Sequence, residues 1–268
     1  MTEISAALVK ELRDATGAGM MDCKRTLVET EGDIDAAKRL LREKGLAQAG
    51  KRAGRETTEG RVLVRIEDGA GTIVGVGSET EPVSNNEEFL SFAQRALDAV
   101  ATNGESAVAD LESERVELVA KLGENIVVRD AKRVEAQDGE ILYGYVHPPA
   151  QKIGVLVQLR GGNEEVAKEL AMHISFGAPS VLTRAEVPVD EVDAERQIYL
   201  NSDELEGKPE QAKEKIVEGM LTKRFFAKAP GGVLLDQAWS REPSKSVGQV
   251  LSEAGATVVA FKRVSVGE

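Results

Sequence analysis

The chain has 268 residues, 41% hydrophobic and 30% charged, which suits one large or two to three small cores and argues against disorder. Its 34 Lys+Arg against 46 Asp+Glu give a formal charge of −12, a balance that repels phosphate backbones and favours a protein partner over direct nucleic-acid binding. A single cysteine, Cys23, cannot form an internal disulfide.

No apolar run is long enough for a bilayer, so no membrane contact is expected. The opening MTEISAALVKELRD has no continuous apolar segment of the secretory kind, and Glu3, Glu11 and Asp14 argue against a transit peptide. The expected location is the cytoplasm.

Residues 1–48 read as three short helices. Ile4, Leu8 and Leu12 share one helical face, Met20, Cys23 and Leu27 a second, and Ile34, Ala37 and Leu41 a third, with Gly45 as the expected stop. Together they suggest a compact, UBA-like bundle. Residues 49–60, AGKRAGRETTEG, lack periodicity and read as a linker.

From Arg61 the period changes to two. Val62, Val64 and Ile66 alternate, Asp68 to Gly71 supply a turn, and Ile73 to Val76 return. A helix from about Asn86 carries Phe89, Phe92, Ala93, Ala96 and Leu97; another spans about Glu112 to Leu122, and a strand follows near Ile126 to Val128. After Gly139 this grammar repeats: strand Ile141 to Val146, strand Ile153 to Leu159, and a helix opening Asn163-Glu164-Glu165 as the earlier one opens Asn86-Glu87-Glu88.

Residues 188–228 form polar helices around Glu206-Gly207-Lys208-Pro209, an antiparallel hairpin whose Val192, Tyr199, Ile216 and Met220 are too sparse for deep burial. A segment ending at Trp239, a helix from Ser246 to Gly255 and a strand from Thr257 to Val266 complete the chain. The expected fold class is α+β: a UBA-like three-helix bundle (1–48), a linker (49–60), then a duplicated antiparallel hairpin-plus-helix core (61–138, and 139–187 with 229–268) into which the helical hairpin (188–228) is inserted.

Chemistry-bearing residues are few. Cys23 with His147 or His173 would be a minimal nucleophile and base, but Cys23 falls on the apolar face of its helix and reads as a small buried hydrophobe. Two histidines and one cysteine far apart do not suggest a zinc site. Gly17-Ala18-Gly19 and Gly75-Val76-Gly77 complete no phosphate-binding motif. No cofactor and no metal are therefore expected.

Two segments suggest contact surfaces. Adjacent Met20 and Met21 point about 100° apart on a helix, so a narrow stripe buries one and leaves the other for docking, while a wide stripe buries both. Ser78-Glu79-Thr80-Glu81-Pro82-Val83 joins a strand to a helix as a short protruding connection with two carboxylates and a rigid proline.

The run Leu12-Arg13-Asp14-Ala15-Thr16-Gly17-Ala18-Gly19-Met20-Met21-Asp22-Cys23-Lys24-Arg25-Thr26-Leu27 resembles the N-terminal signature of the elongation factor Ts family, with Thr26 where a smaller residue is usual. Gly123-Glu124-Asn125, Ile153 to Val157, Ala171-Met172-His173, Gly207-Lys208-Pro209, Ile216 to Gly219 and Glu242 to Lys245 with Val247-Gly248 extend the resemblance over nearly the whole chain.

The resemblance implies a guanine-nucleotide exchange factor for elongation factor Tu, in its GDP-bound and nucleotide-free forms, and no covalent chemistry. It implies docking through Arg13, Met20, Met21 and Lys24, and a loop of Thr80, Glu81, Pro82 and Val83 that disturbs the partner's magnesium and phosphate site, while the second half of the core grips another domain. Here Glu81 is one methylene longer than the family's Asp, and Pro82 replaces an aromatic wedge. The chain also ends directly after its last expected strand, without the C-terminal extension of some members. A non-exchanging protein adaptor is the alternative, and the hairpin leaves a homodimer open.

Overall fold

The computed structural model describes residues 4–267, so Glu3 and Glu268 lie outside the described residues. Helix α1 (Ala6–Thr16) starts where the Ser5 hydroxyl accepts from the Leu8 amide, and ends at left-handed Gly17, whose N–H reaches the Arg13 carbonyl. Helix α2 (Met20–Glu29) follows. Helix α3 (Ile34–Arg52) is capped by the Asp33 carboxylate accepting from Ala36. Val9, Leu12, Cys23, Leu27 and Ala37 form the bundle's buried centre.

The third helix is longer than anticipated. Gly45 does not stop it, and the helix runs seven residues further, through Arg52, so only residues 53–58 are left to connect it to the next strand. Glycine is an ambiguous signal, because it marks both helix ends and close helix contacts. Here a Cβ on Gly45 would lie 2.9 Å from the Ala120 Cβ on a neighbouring helix, so the missing side chain permits the approach. Past Gly45, Ala49 is buried with Phe89, Phe92 and Val119, and Arg52 Nη1 donates to the Val119 carbonyl at 3.3 Å.

The core begins with strands β1 (Glu59–Glu67) and β2 (Ala70–Ser78), joined through Asp68 and Gly69, both at positive φ. A one-turn helix α4 (Glu81–Ser84) leads to α5 (Glu87–Asn103), then a 3-10 segment, α6 (Glu112–Leu122) and β3 (Val127–Glu135). Strand β3 outruns its expected span of Ile126 to Val128. It is an edge strand whose Lys132 and Arg133 are partnered by Glu105 and Glu135, and these charges hide its alternation.

The second half repeats the scheme with β4 (Glu140–Val146), β5 (Ile153–Gly161) and α7 (Glu164–Gly177), then inserts α8 (Val189–Leu200) and α9 (Glu210–Met220), the latter running into a π-helical turn at Leu221–Phe226. Short strands β6 (Ala238–Trp239) and β7 (Glu242–Ser246), helix α10 (Val247–Glu253) and strand β8 (Ala256–Ser265) complete it. The sheets are antiparallel, in orders β1-β2-β3 and β4-β5-β8, each with a register shift along its central strand.

The two sheets pack against one another through Val62, Ile73, Leu156, Val264 and Val266. Their closeness depends on glycine: a Cβ on Gly154 would lie 2.4 Å from Val62 Cγ1, and one on Gly144 at the same distance from Val64 Cγ1. Helix α5 covers the first sheet with Phe89, Phe92, Ala93, Ala96, Leu97 and Val100, and α7 the second with Ala167, Leu170, Ala171 and Ile174.

The inserted hairpin is better packed than its sequence suggests. Tyr199, Leu205, Val217, Met220, Leu221, Phe226 and Val233 form its own buried cluster, with Val192 and Ile216 only partly buried. A 3-10 turn supplies Leu205 and the π-helical turn supplies Leu221 and Phe226, positions that a simple two-helix pattern does not reveal. Val189 and Ile198 remain exposed.

If the Gly45–Ala120 contact holds α3 against α6, Gly45→Leu should destabilise the protein by about 1–3 kcal/mol through overpacking. Urea unfolding measures this, and an unchanged midpoint would refute the contact.

Candidate interaction site

At 100° per residue, a buried stripe centred on Cys23, Thr26 and Leu27 leaves Met20 about 65° to one side and Met21 about 165° away. Both methionines are accordingly exposed, at 47% and 63%. This corrects the expectation that Met20 shares the stripe with Cys23 and Leu27, and neither the one-buried nor the both-buried arrangement holds. Thr26 occupies the stripe at 1% exposure and draws it away from Met20.

Arg13 and Lys24 are also exposed, and neither has an ion-pair partner among the described residues. Arg13 lies near enough to Cys23 for its charge to act on the thiol. The first turns of α2 and the last turn of α1 thus carry soft apolar side chains and free cations, a combination suited to docking.

The second segment is not a free loop. Thr80 precedes α4, Glu81 and Pro82 are its first two residues, and Pro82 fits there because its fixed φ matches a helical first turn. Thr80, Glu81 and Pro82 are exposed, while Val83 packs on the cluster beneath α5. The Glu81 carbonyl accepts from Ser84 Oγ at 2.9 Å and from Asn85 Nδ2 at 3.1 Å.

The entry to this turn is held from outside. Glu124 Oε2 accepts from the backbone N–H groups of Glu79 and Thr80 at 3.1 and 3.0 Å, and Oε1 from Thr80 Oγ1 at 2.5 Å. In return, the Glu79 carboxylate accepts from the Asn125 N–H at 2.6 Å and from Arg55 Nη1 at 3.3 Å. Asn125 Nδ2 donates to the Arg55 carbonyl at 2.8 Å. Sequence reasoning missed this brace, although Gly123-Glu124-Asn125 stood out as a motif.

A third exposed feature was also missed. Phe176 is 62% exposed at the end of α7, its ring centroid 4.7 Å from that of His147 in an edge-on arrangement, and Tyr145 Oη lies 2.9 Å from His147 Nδ1. A phenylalanine within a helical pattern reads as core, so nothing local marked it as exposed.

Beside the α3–α6 contact, a cleft of about 540 Å³ lies between the α1–α2 side of the bundle and α6. Its lining sets Arg25, Lys38, Arg42, Lys44 and Lys121 against Asp22, Glu29 and Glu117, a mixture of both signs with the cations in excess. At its edge the Lys121 stem lies over Gly17 and its ammonium pairs with Glu88 at 2.6 Å.

Enzyme-like pairings are not assembled. Cys23 is buried in the bundle, and burial raises its thiol pKa, with Asp22 adding to the rise against the opposing effects of Thr16 and Arg13. Both histidines belong to the second half of the core. His173 is buried and stacked on Trp239. Its Nδ1 accepts from the Ser240 N–H at 3.4 Å, which assigns the proton to Nε2, donating to Gln237 Oε1 at 2.9 Å. Among the described residues no group of three or more His, Cys, Asp or Glu could hold a metal, and no helix is long and apolar enough to cross a membrane.

Comparison with known proteins agrees with the resemblance. A family model described as Elongation factor TS matches residues 79–268. The chain is 41% identical to elongation factor Ts of Stutzerimonas stutzeri (strain A1501), over 100% of this chain and 92% of that protein. It is 43% identical to that of Halorhodospira halophila (strain DSM 244 / SL1), over 99% and 92%, and 43% identical to that of Serratia proteamaculans (strain 568), over 100% and 93%. The molecule is thus a translation elongation factor by class. Within that class, the chain belongs to the elongation factor Ts family.

His173 also makes a measurable statement about stability. Burial holds its pKa below the ordinary 6.5, outweighing the hydrogen bond to Gln237. The unfolded chain therefore takes up a proton that the folded state resists, so this contribution is complete above pH 6.5 and declines as pH falls towards the depressed folded value. Urea unfolding from about pH 8 to about pH 5.5 should show stability falling below the midpoint of a free imidazole. In His173→Gln that part of the slope should flatten, and an unchanged slope would refute the assignment.

Proposed function

We propose that this chain is a guanine-nucleotide exchange factor for elongation factor Tu, promoting GDP release during translation elongation in the cytoplasm. The observation that carries this reading is the braced turn bearing exposed Glu81 and Pro82, in a chain of the elongation factor Ts family that also bears an exposed methionine face. The N-terminal bundle, UBA-like in character, docks on the nucleotide-binding domain of the partner through Arg13, Met20, Met21 and Lys24. The turn of Thr80, Glu81, Pro82 and Val83 enters beside the magnesium and phosphates. The second half of the core grips another domain, and exposed Phe176, packed edge-on against half-buried His147, supports its use as that contact.

No covalent step is required. GDP is held by its phosphates and their magnesium, the largest local countercharge, so displacing the metal weakens the nucleotide. A factor that prefers the nucleotide-free partner weakens GDP by the same factor by which GDP weakens it. It binds both forms and differs only in how tightly. A carboxylate and a rigid ring at a fixed distance from a docking face are sufficient equipment. The net charge of −12 supports a protein partner rather than direct contact with nucleic acid.

The test is release of a fluorescent GDP analogue from the cognate elongation factor Tu as the concentration of this protein is raised. The intact protein should accelerate release strongly, and Glu81→Ala or Pro82→Ala should lower the rate at saturation by about fivefold or more. Replacing Met20 and Met21 together with Ala should instead raise the half-saturating concentration by about tenfold. Tight binding without acceleration would sink the exchange reading and leave a protein-binding adaptor.

A further inference from the structure

We infer that Glu124 is a positioning residue for exchange, fixing the turn that carries Glu81 and Pro82; this rests on the exchange reading above. Glu124 lies just after α6, where left-handed Gly123 turns the chain out of the helix. Its carboxylate reaches across to residues 79 and 80 and uses both oxygens there. The N–H groups it accepts from belong to the last two residues before α4, so it fixes where that turn begins.

The contact is reciprocal. The Glu79 side chain turns inwards to the Asn125 N–H and to Arg55, away from the exposed tip. Two carboxylates thus lie side by side in the brace, each taken up by donors from another segment. Arg55 belongs to the short connection between α3 and β1, so the same cluster ties the tip of the site to the segment leaving the bundle.

Hydrogen bonding is the working feature of Glu124. Two backbone donors converge on one oxygen and a hydroxyl on the other. A glutamine preserves this pattern, because its carbonyl accepts the two N–H groups and its amide can donate to the Thr80 hydroxyl. An alanine removes it and frees the entry to the turn. A freed turn spends only part of each docked encounter in its productive position, and the rate falls by that fraction. Docking through the bundle does not involve Glu124, so affinity is spared.

The experiment is nucleotide release from elongation factor Tu by the full chain and by Glu124→Ala and Glu124→Gln, each titrated to saturation. Glu124→Ala should lower the saturated rate by about tenfold and leave the half-saturating concentration within about twofold. Glu124→Gln should recover most of the rate. Amide hydrogen exchange should show Glu79 and Thr80 losing protection in the alanine variant only. Glu124→Asp, one methylene too short to keep all three of its hydrogen bonds to residues 79 and 80, should also lower the saturated rate and serves if Glu124→Ala does not fold.

An unchanged saturated rate in Glu124→Ala, or a change confined to half-saturation, overturns the positioning role while leaving exchange intact. A glutamine variant as slow as the alanine variant also overturns it. Failure of the unaltered protein to accelerate release overturns both readings.

Discussion

The rest of the structure depends on how closely α3 approaches α6. Gly45 against Ala120 removes the last obstacle between the helices, and the added length of α3 buries Ala49 in the core of the first half. Arg52 then ties the helix end to the Val119 carbonyl, and Arg42 Nη2 reaches Ser113 Oγ at 3.3 Å. A twelve-residue flexible tether would let the bundle roam over tens of ångströms. A helix seated on its neighbour does not. The Lys121 stem over Gly17, with its ammonium on Glu88, adds a second attachment at the α1–α2 turn.

Helix α6 therefore serves two parts of the molecule. One face receives α3 and with it the methionine face of the bundle, while the residue just beyond its C-terminal end, Glu124, holds the entry to α4. On the exchange reading, the separation between the proposed docking face and the proposed probe is set by one helix and its exit. The duplicated core carries this short helical turn in one half only. In the first half, residues 79–86 separate β2 from α5 and contain α4; in the second, only residues 162–163 separate β5 from α7. The halves share strand order and central-strand irregularity, so the difference lies in the connection, where a rigid scaffold accommodates new function at least cost.

What the sequence discloses follows from the range of each interaction. Helix starts at Asn86 and Asn163 are readable because the capping side chain bonds an amide two or three residues on. The alternation of Val62 and Val64, with the Asp68-Gly69 turn, likewise places β1 and β2. Gly45 fails as a stop signal because its reason lies 75 residues away, at Ala120. The Met20 expectation fails because a threonine, ordinarily read as polar, takes the buried stripe. Of the site, the protruding turn at Glu81 was legible, while spacing alone left open which of Met20 and Met21 reaches the surface. The brace made by Glu124 was not, since its partners lie more than 40 residues back along the chain.

Pro82 is then best understood through position rather than contact area. An aromatic at that place, as the family resemblance implies, offers a large surface to wedge into a partner, but its side chain must be ordered on binding. Proline offers less surface and brings a fixed φ and almost no side-chain freedom to lose. It gains by this only if the backbone beneath it is already fixed, which is the condition met here. Glu124 holds the residues before it, and Ser84 and Asn85 close the turn after it onto the Glu81 carbonyl. A stiff tip on a braced turn transmits the force of docking without deforming, whereas a stiff tip on a loose turn would simply swing aside. On the exchange reading, Pro82 and the Glu124 brace are one device, and the smaller ring is workable because the turn beneath it is already in place.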